Sequence, residues 1–144
     1  MAEEGSIFLY YAYGVHIDRR QMAALHPDCE WMGLARADGV RLGFDDQGHA
    51  NLYYQSDSRA WGVLWMVPAA AMVALDAWAA ERGQRREAMM IVSPAGPRVP
   101  ATTYRDRKAS EGDADAEEFA VILKAMMQEK VDRGHLATLQ PWRK

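Results

Sequence analysis

Ala60-Trp61-Gly62-Val63-Leu64-Trp65-Met66-Val67 is apolar at almost every position. An extended chain with that composition has no polar face, which is the pattern of a central strand covered on both sides. Pro68 and the stretch Ala69–Ala80 follow directly. Proline is at home in a first helical turn, and alanine is the best helix former. Met72, Leu75 and Trp78 recur at intervals of three on one face of that helix, and Gly83 supplies a stop. A buried strand thus runs straight into a helix, and the fold depends on what pairs with the strand.

Working outward, Ile7–Tyr13 is a short apolar and aromatic run closed by Gly14, a second buried strand. Asp18 is placed to cap a short helix over Arg19–Leu25, which must end at His26-Pro27 because proline disfavours helix in the residue before it. Three extended runs follow, Cys29–Ala37, Val40–Phe44 and His49–Tyr54, separated by the turn sequences Asp38-Gly39 and Asp45-Asp46-Gln47-Gly48. Beyond the helix, Glu87–Val92 and Arg98–Tyr104 suggest a hairpin around Ser93-Pro94-Ala95-Gly96-Pro97. Arg105–Ala114 is polar and loop-like. Asp115 with Glu118 resembles a capping box without its hydroxyl and opens a last helix, whose apolar face is Phe119, Ile122, Leu123, Met126 and Met127 and which runs to about Arg133 before Gly134. Strands outnumber helices and most are joined by turns too short for crossovers. The expected class is α+β, with a mainly antiparallel or mixed sheet, or a small barrel, and two or three attached helices.

Composition narrows the function classes. The chain has 144 residues, 49% hydrophobic and 26% charged, with 17 Lys and Arg against 20 Asp and Glu for a net charge of −3. That suits one folded domain over residues 1–144 and argues against a disordered chain. Cys29, the single cysteine, excludes an internal disulfide framework or a CxxC motif. No apolar run approaches the roughly 18–20 residues that span a bilayer, and the N-terminus Met1-Ala2-Glu3-Glu4-Gly5-Ser6 is acidic where a signal peptide is basic. The expectation is a soluble cytoplasmic protein with no membrane partner. Its acidic total gives no electrostatic reason for nucleic acid, so the clusters Arg82, Arg85, Arg86 and Arg105, Arg107, Lys108 are expected to be solvated faces. The histidines His16, His26, His49 and His135 are scattered, and the pair His26 and Cys29 lacks a second pair to complete a zinc site. Neither a GxxxxGK[ST] loop nor a GxGxxG motif is present, so no nucleotide cofactor is suggested.

Four segments in order resemble the γ-glutamylcyclotransferase-like superfamily. Tyr13-Gly14-Val15-His16-Ile17, with Met22 after it, is similar to the family's Tyr-Gly-Ser-Asn-Leu loop. Gly33-Leu34-Ala35-Arg36 leading into Val40–Phe44 is similar to its Gly-x-Ala-Arg-Leu and following strand. Gly62-Val63-Leu64-Trp65 with Leu75-Asp76 behind it forms the third match, and Gly96 followed by Tyr104, then a helix led by Phe119, the fourth. The resemblance runs from about Phe8 to Gln140. It implies a small barrel of six to seven strands flanked by two or three helices, with a cavity at one end.

It also implies a reaction. In this family the α-amine of a γ-glutamyl group attacks its own γ-carbonyl, releasing 5-oxoproline and an amine or amino acid, with no metal or organic cofactor. The ammonium must first lose a proton, which calls for a base within hydrogen-bond reach. The α-carboxylate wants clustered N–H donors, which a glycine-containing loop offers. By resemblance the substrate-binding residues are Tyr13, Gly14, Val15, His16, Ile17 and Tyr104, but Val15 and His16 stand where the family has Ser and Asn. The family's catalytic Glu lies three residues after the Asp of Leu-Asp, and from Asp76 that place is Ala79. Glu81 is the next carboxylate and the candidate catalytic residue. In a continuing helix, however, it lies about 200° round the axis from residue 79, so the helix must end near Ala79–Ala80 for Glu81 to serve. His16, with an ordinary pKa near 6.5, and Asp76 are the alternatives. A chain that lacks the base would instead be an inactive relative that binds a small carboxylate-bearing metabolite.

Overall fold

The computed structural model describes residues 6–131; the expectations placed on Met1–Gly5, Arg133, Gly134, His135 and Gln140 lie outside them. In chain order the elements are β1 (Ile7–Ala12), a 3-10 turn (Val15–Ile17), α1 (Arg19–Leu25), β2 (Glu30–Phe44), β3 (Ala50–Pro68), α2 (Ala69–Glu81), β4 (Arg85–Val92), β5 (Arg98–Arg105) and α3 (Ala116–Gln128). The strands close into a barrel in the order β1-β3-β2-β4-β5. Neighbours are antiparallel, except that β1 and β5 meet in parallel at Tyr10 and Thr102 to complete the circle.

The α+β class and the barrel match the expectation, and the strand number is corrected from six or seven to five. Cys29–Ala37 and Val40–Phe44 are one strand, and so are His49–Tyr54 and Ala60–Val67. Asp38-Gly39 is a bulge in the β2–β3 ladder, where Gly39 takes φ +83°, and not a turn. The same ladder pairs Asp38 with Arg59 but Val40 with Tyr54. The four β3 residues from 55 to 58 therefore have no β2 partner, and Gln55, Ser56 and Asp57 are exposed. Glycine accepts the left-handed backbone that such a bulge needs, so a turn-like dipeptide can sit inside a strand.

The segment Trp61–Val67 is central as expected: it pairs with β1 on one side and β2 on the other, and Val63, Leu64, Trp65 and Val67 are buried. Gly62 lets β1 approach, because a Cβ there would lie 2.3 Å from the Ala12 carbonyl oxygen. Asp18 caps α1 by accepting from the Arg20 and Gln21 N–H groups. The helix α2 buries Met72, Leu75 and Ala79, while α3 buries Phe119, Ile122, Ala125 and Met126 and ends at Gln128, short of the expected reach. Among the described residues no helix is long and apolar enough to cross a membrane.

Candidate functional site

At the end of β1 the chain leaves the barrel, and the 3-10 turn begins beside the last residues of α2. Between them lies a tight pocket, about 260 Å³ with its open mouth included but with only about 10 Å³ of water-accessible space, lined by Tyr10, Tyr13, Gly14, Val15, His16, Ala50, Trp78, Arg82, Gln84 and Tyr104. Five of the six expected binding residues meet here. Ile17 does not: it is fully buried and packs into the core.

The wall is largely aromatic. The His16 ring lies 4.3 Å from Trp78 and 5.8 Å from Tyr10, and Tyr104 closes the group at 5.7 Å from Tyr10 and 6.4 Å from Trp78. Hydrogen bonds to backbone carbonyls tie down the chain that carries the wall. Tyr13 Oη donates to the Tyr104 carbonyl at 2.5 Å, Trp65 Nε1 donates to the His16 carbonyl at 3.0 Å, and Gln84 Nε2 donates to the Ala50 carbonyl at 2.9 Å.

Tyr10 Oη and His16 Nδ1 are 2.8 Å apart in a buried contact. Burial raises the Tyr10 phenol well above its ordinary pKa, so it stays protonated. A buried hydroxyl needs an acceptor, and His16 Nδ1 is the one at hand. Tyr10 therefore donates, and the His16 ring proton is assigned to Nε2. Burial, with repulsion from His26 and Arg82 behind it, pulls the His16 pKa down to about 3. His16 is thus a neutral ring at physiological pH and a feeble base.

Glu81 is not brought to the pocket. The condition set by the helical geometry is unmet, because α2 continues through Glu81. Its side chain is exposed and lines a separate groove with Asp45, His49 and Lys108. Ala79 is fully buried. The residue that does reach the pocket from this helix end is Arg82, whose guanidinium lies 4.6 Å from the centre of the Trp78 ring. Arg82 Nη1 and Nη2 donate to Glu118 at 2.9 and 2.5 Å, whereas its Nε is buried without a hydrogen-bond partner among the described residues.

The carboxylates nearest the wall stand behind it and are already engaged. Glu118 accepts from Arg82 and from the Ala50 N–H at 2.6 Å. Burial pushes its pKa up, but the Arg82 and Ala50 hydrogen bonds outweigh this and hold it below the ordinary glutamate value. Asp76 accepts from Tyr104 Oη at 2.6 Å and from Arg86 Nε and Nη2 at 2.7 and 2.8 Å. The Arg86 hydrogen bond lowers its pKa most; burial opposes this, and the Tyr104 hydroxyl lowers it further. Burial and the neighbouring Asp76 both push the Tyr104 phenol up.

The face turned to a ligand is therefore rich in donors. Arg82 has five N–H groups, of which Glu118 occupies two. The Val15 and His16 amides open the 3-10 turn, outside its own i to i+3 ladder. Among the described residues no carboxylate lines the pocket. Tyr10, Ala50, Trp78, Arg82 and Gln84 were not singled out from sequence as site residues. The readable hint was Arg82, adjacent to Glu81 in the sequence.

No protein-family model matches the chain, and no curated protein matches its sequence significantly. Solved structures do match. A γ-glutamyl cyclotransferase superposes with a TM-score of 0.84 at 17% identity, over 94% of this chain and 87% of that one. A human protein solved as uncharacterised gives 0.83 at 16% identity, over 93% and 86%. A glutathione-specific γ-glutamyl cyclotransferase from yeast gives 0.57 at 13% identity, over 96% and 98%. The chain has the γ-glutamylcyclotransferase-like fold.

Proposed function

We propose that this γ-glutamylcyclotransferase-like protein holds a small carboxylate-bearing metabolite of the γ-glutamyl type, and that its pocket lacks the base needed to form 5-oxoproline. The observation that carries this reading is the pocket wall: a guanidinium with an unpartnered Nε, a neutral histidine and a buried glutamine, with no carboxylate among the described residues. Such a set suits an anion, and arginine is the side chain best matched to a carboxylate. The aromatic rings match the methylene chain of a γ-glutamyl group. Cyclisation additionally requires the α-ammonium to give up a proton. Ala79 cannot take one, Glu81 faces another groove, and His16 with a pKa of about 3 is too weak.

The second reading is an active cyclotransferase with a different base. It rests on the fold shared with a γ-glutamyl cyclotransferase and on Tyr104, whose hydroxyl links the pocket to Asp76. A proton would pass from the ammonium to the tyrosine oxygen as the tyrosine proton moves to Asp76.

Calorimetric titration with γ-glutamyl dipeptides and γ-glutamyl amines, with chromatography of the same mixtures for 5-oxoproline, separates the two. We expect saturable binding without release. Arg82→Lys, which keeps a charge opposite Glu118 but loses the planar fork, should weaken binding about tenfold, the effect of roughly 1.4 kcal/mol. Release of 5-oxoproline by the wild-type protein would overturn the binding-only reading, and its loss in Asp76→Asn would then favour the relay.

A further inference from the structure

The two arginine clusters that look like ordinary solvated faces in the sequence are joined by the fold. Strands β4 and β5 pair so that Arg85 lies directly opposite Arg105. Like charges facing each other across a ladder destabilise it. Arg107 and Lys108 follow at the end of β5, and with Gly83, Arg86, Glu87 and Asp106 these residues line a groove of about 940 Å³, open mouth included.

Its charges do not balance. Arg86 is committed to Asp76, which is not on the groove wall. That leaves Arg85, Arg105, Arg107 and Lys108 against Glu87 and Asp106, four cations to two carboxylates, or +2, in a chain whose total is −3. Glu87 is shared: Arg107 Nε donates to it at 2.8 Å, while Arg105 Nε stands 3.7 Å away, beyond hydrogen-bond range. The Arg105 side chain is only 11% exposed, and its Nε is buried without a hydrogen-bond partner among the described residues. A nearly buried guanidinium facing another arginine, with half a carboxylate for a partner, is under-compensated. Asp106 gives little relief, since its side chain accepts from the Lys108 backbone N–H.

We propose that this groove binds a phosphate dianion, either free or as the head of a phosphomonoester. A phosphate near neutral pH carries about −1.5 to −2 charges, which matches the excess, and its oxygens suit several guanidinium forks at once. The groove holds about 510 Å³ of water-accessible space, enough for an organic body attached to the phosphate and within the roughly 300–1,000 Å³ of ordinary ligand sites. This site is separate from the aromatic pocket and does not depend on what that pocket holds.

The test is titration with inorganic phosphate and with phenyl phosphate at constant ionic strength, read by calorimetry and by 31P line broadening, with sodium chloride and sodium acetate as controls. The wild-type protein should bind both phosphates saturably. The double variant Arg85→Ser, Lys108→Ser should lose at least tenfold in affinity; both side chains are exposed, so the fold should survive, and an unchanged thermal midpoint checks this. Tighter binding of phenyl phosphate assigns the groove to a monoester, and equal binding to free phosphate. An equal response to acetate, or affinity unchanged in the double variant, overturns the proposal. So does tight binding of a 20-nucleotide single strand that neither phosphate displaces, which would make the groove a nucleic-acid surface.

Discussion

Removing the Glu118 carboxylate should cost far more stability than removing any exposed charge of this protein. Glu118 sits on the inner face of α3, where it joins three elements: Arg82 at the end of α2, the Ala50 N–H at the start of β3, and its own helix. The side chains of Glu118 and Arg82 are 9% and 11% exposed, so neither charge can recover its hydration when the other is lost. Deleting one partner of such a buried pair typically costs about 3–5 kcal/mol, and the orphaned Ala50 N–H lies within that range. We therefore expect Glu118→Ala to lose about 4 kcal/mol. With a urea dependence of roughly 2 kcal/mol per molar, the unfolding midpoint should fall by about 2 M. Glu118→Gln keeps a carbonyl for the Ala50 N–H and should lie between wild type and alanine. The internal control is Arg98→Ala: Arg98 pairs with Asp38 at 3.3 Å but is 64% exposed, and such pairs contribute about 0–1 kcal/mol. Because the folded-state pKa of Glu118 is depressed, its contribution is fully present above the ordinary glutamate pKa and is lost as pH falls through the lower folded value. The wild type should thus lose stability on acidification over that window more than Glu118→Gln does. Equal midpoint shifts for Glu118→Ala and Arg98→Ala would refute the reasoning.

Two further outcomes follow from the same contacts. Trp65→Ala empties a site that is only 2% exposed in the central strand and removes the donor to the His16 carbonyl; we expect a loss of about 3–5 kcal/mol by chemical denaturation, and an unchanged midpoint would show that the barrel does not rest on this residue. The His16 ring, with a folded-state pKa of about 3 against an ordinary value near 6.5, should show no shift in its proton resonances between pH 5 and 8. The unfolded chain takes up that proton first, so His16 draws stability down as pH falls from about 6.5 toward 3. A His16 midpoint near 6.5 in the folded protein would contradict its burial.

The architecture was readable wherever a residue's neighbours along the chain decide its state. Asp18 caps α1, Asp115 caps α3 by accepting from the Glu118 N–H, and the apolar run Trp61–Val67 lies at the centre of the sheet. Local signals misled where the barrel overrides them. Asp38-Gly39 has turn chemistry but serves as a bulge in a strand of 15 residues, because the β2–β3 ladder continues on both sides of it. The pocket was legible in outline from the run Tyr13-Gly14-Val15-His16, yet its charge was not. Glu118 looked like a capping residue; its backbone does bond to Asp115, but its carboxylate turns to Arg82, 36 residues away in sequence. No periodicity reports a pairing at that separation.

The decisive detail is a matter of one residue. Glu81 and Arg82 are adjacent, and a helix turns about 100° per residue, so the end point of α2 selects which of them meets the pocket. The helix runs through Glu81, and the Arg82 and Gly83 N–H groups bond back to the Ala79 and Ala80 carbonyls. This carries the carboxylate to solvent and the guanidinium to the aromatic wall. Glu118 then holds Arg82 there through its two terminal nitrogens and leaves Nε unpartnered. With alanine at 79, a cation at 82 and a neutral imidazole at 16, the described residues of the wall carry donors and no carboxylate, which is why we propose an anionic ligand. Restoring acid–base chemistry would accordingly require more than a carboxylate at 79, because the Arg82 guanidinium nearby would lower that carboxylate's proton affinity and compete with the substrate for it.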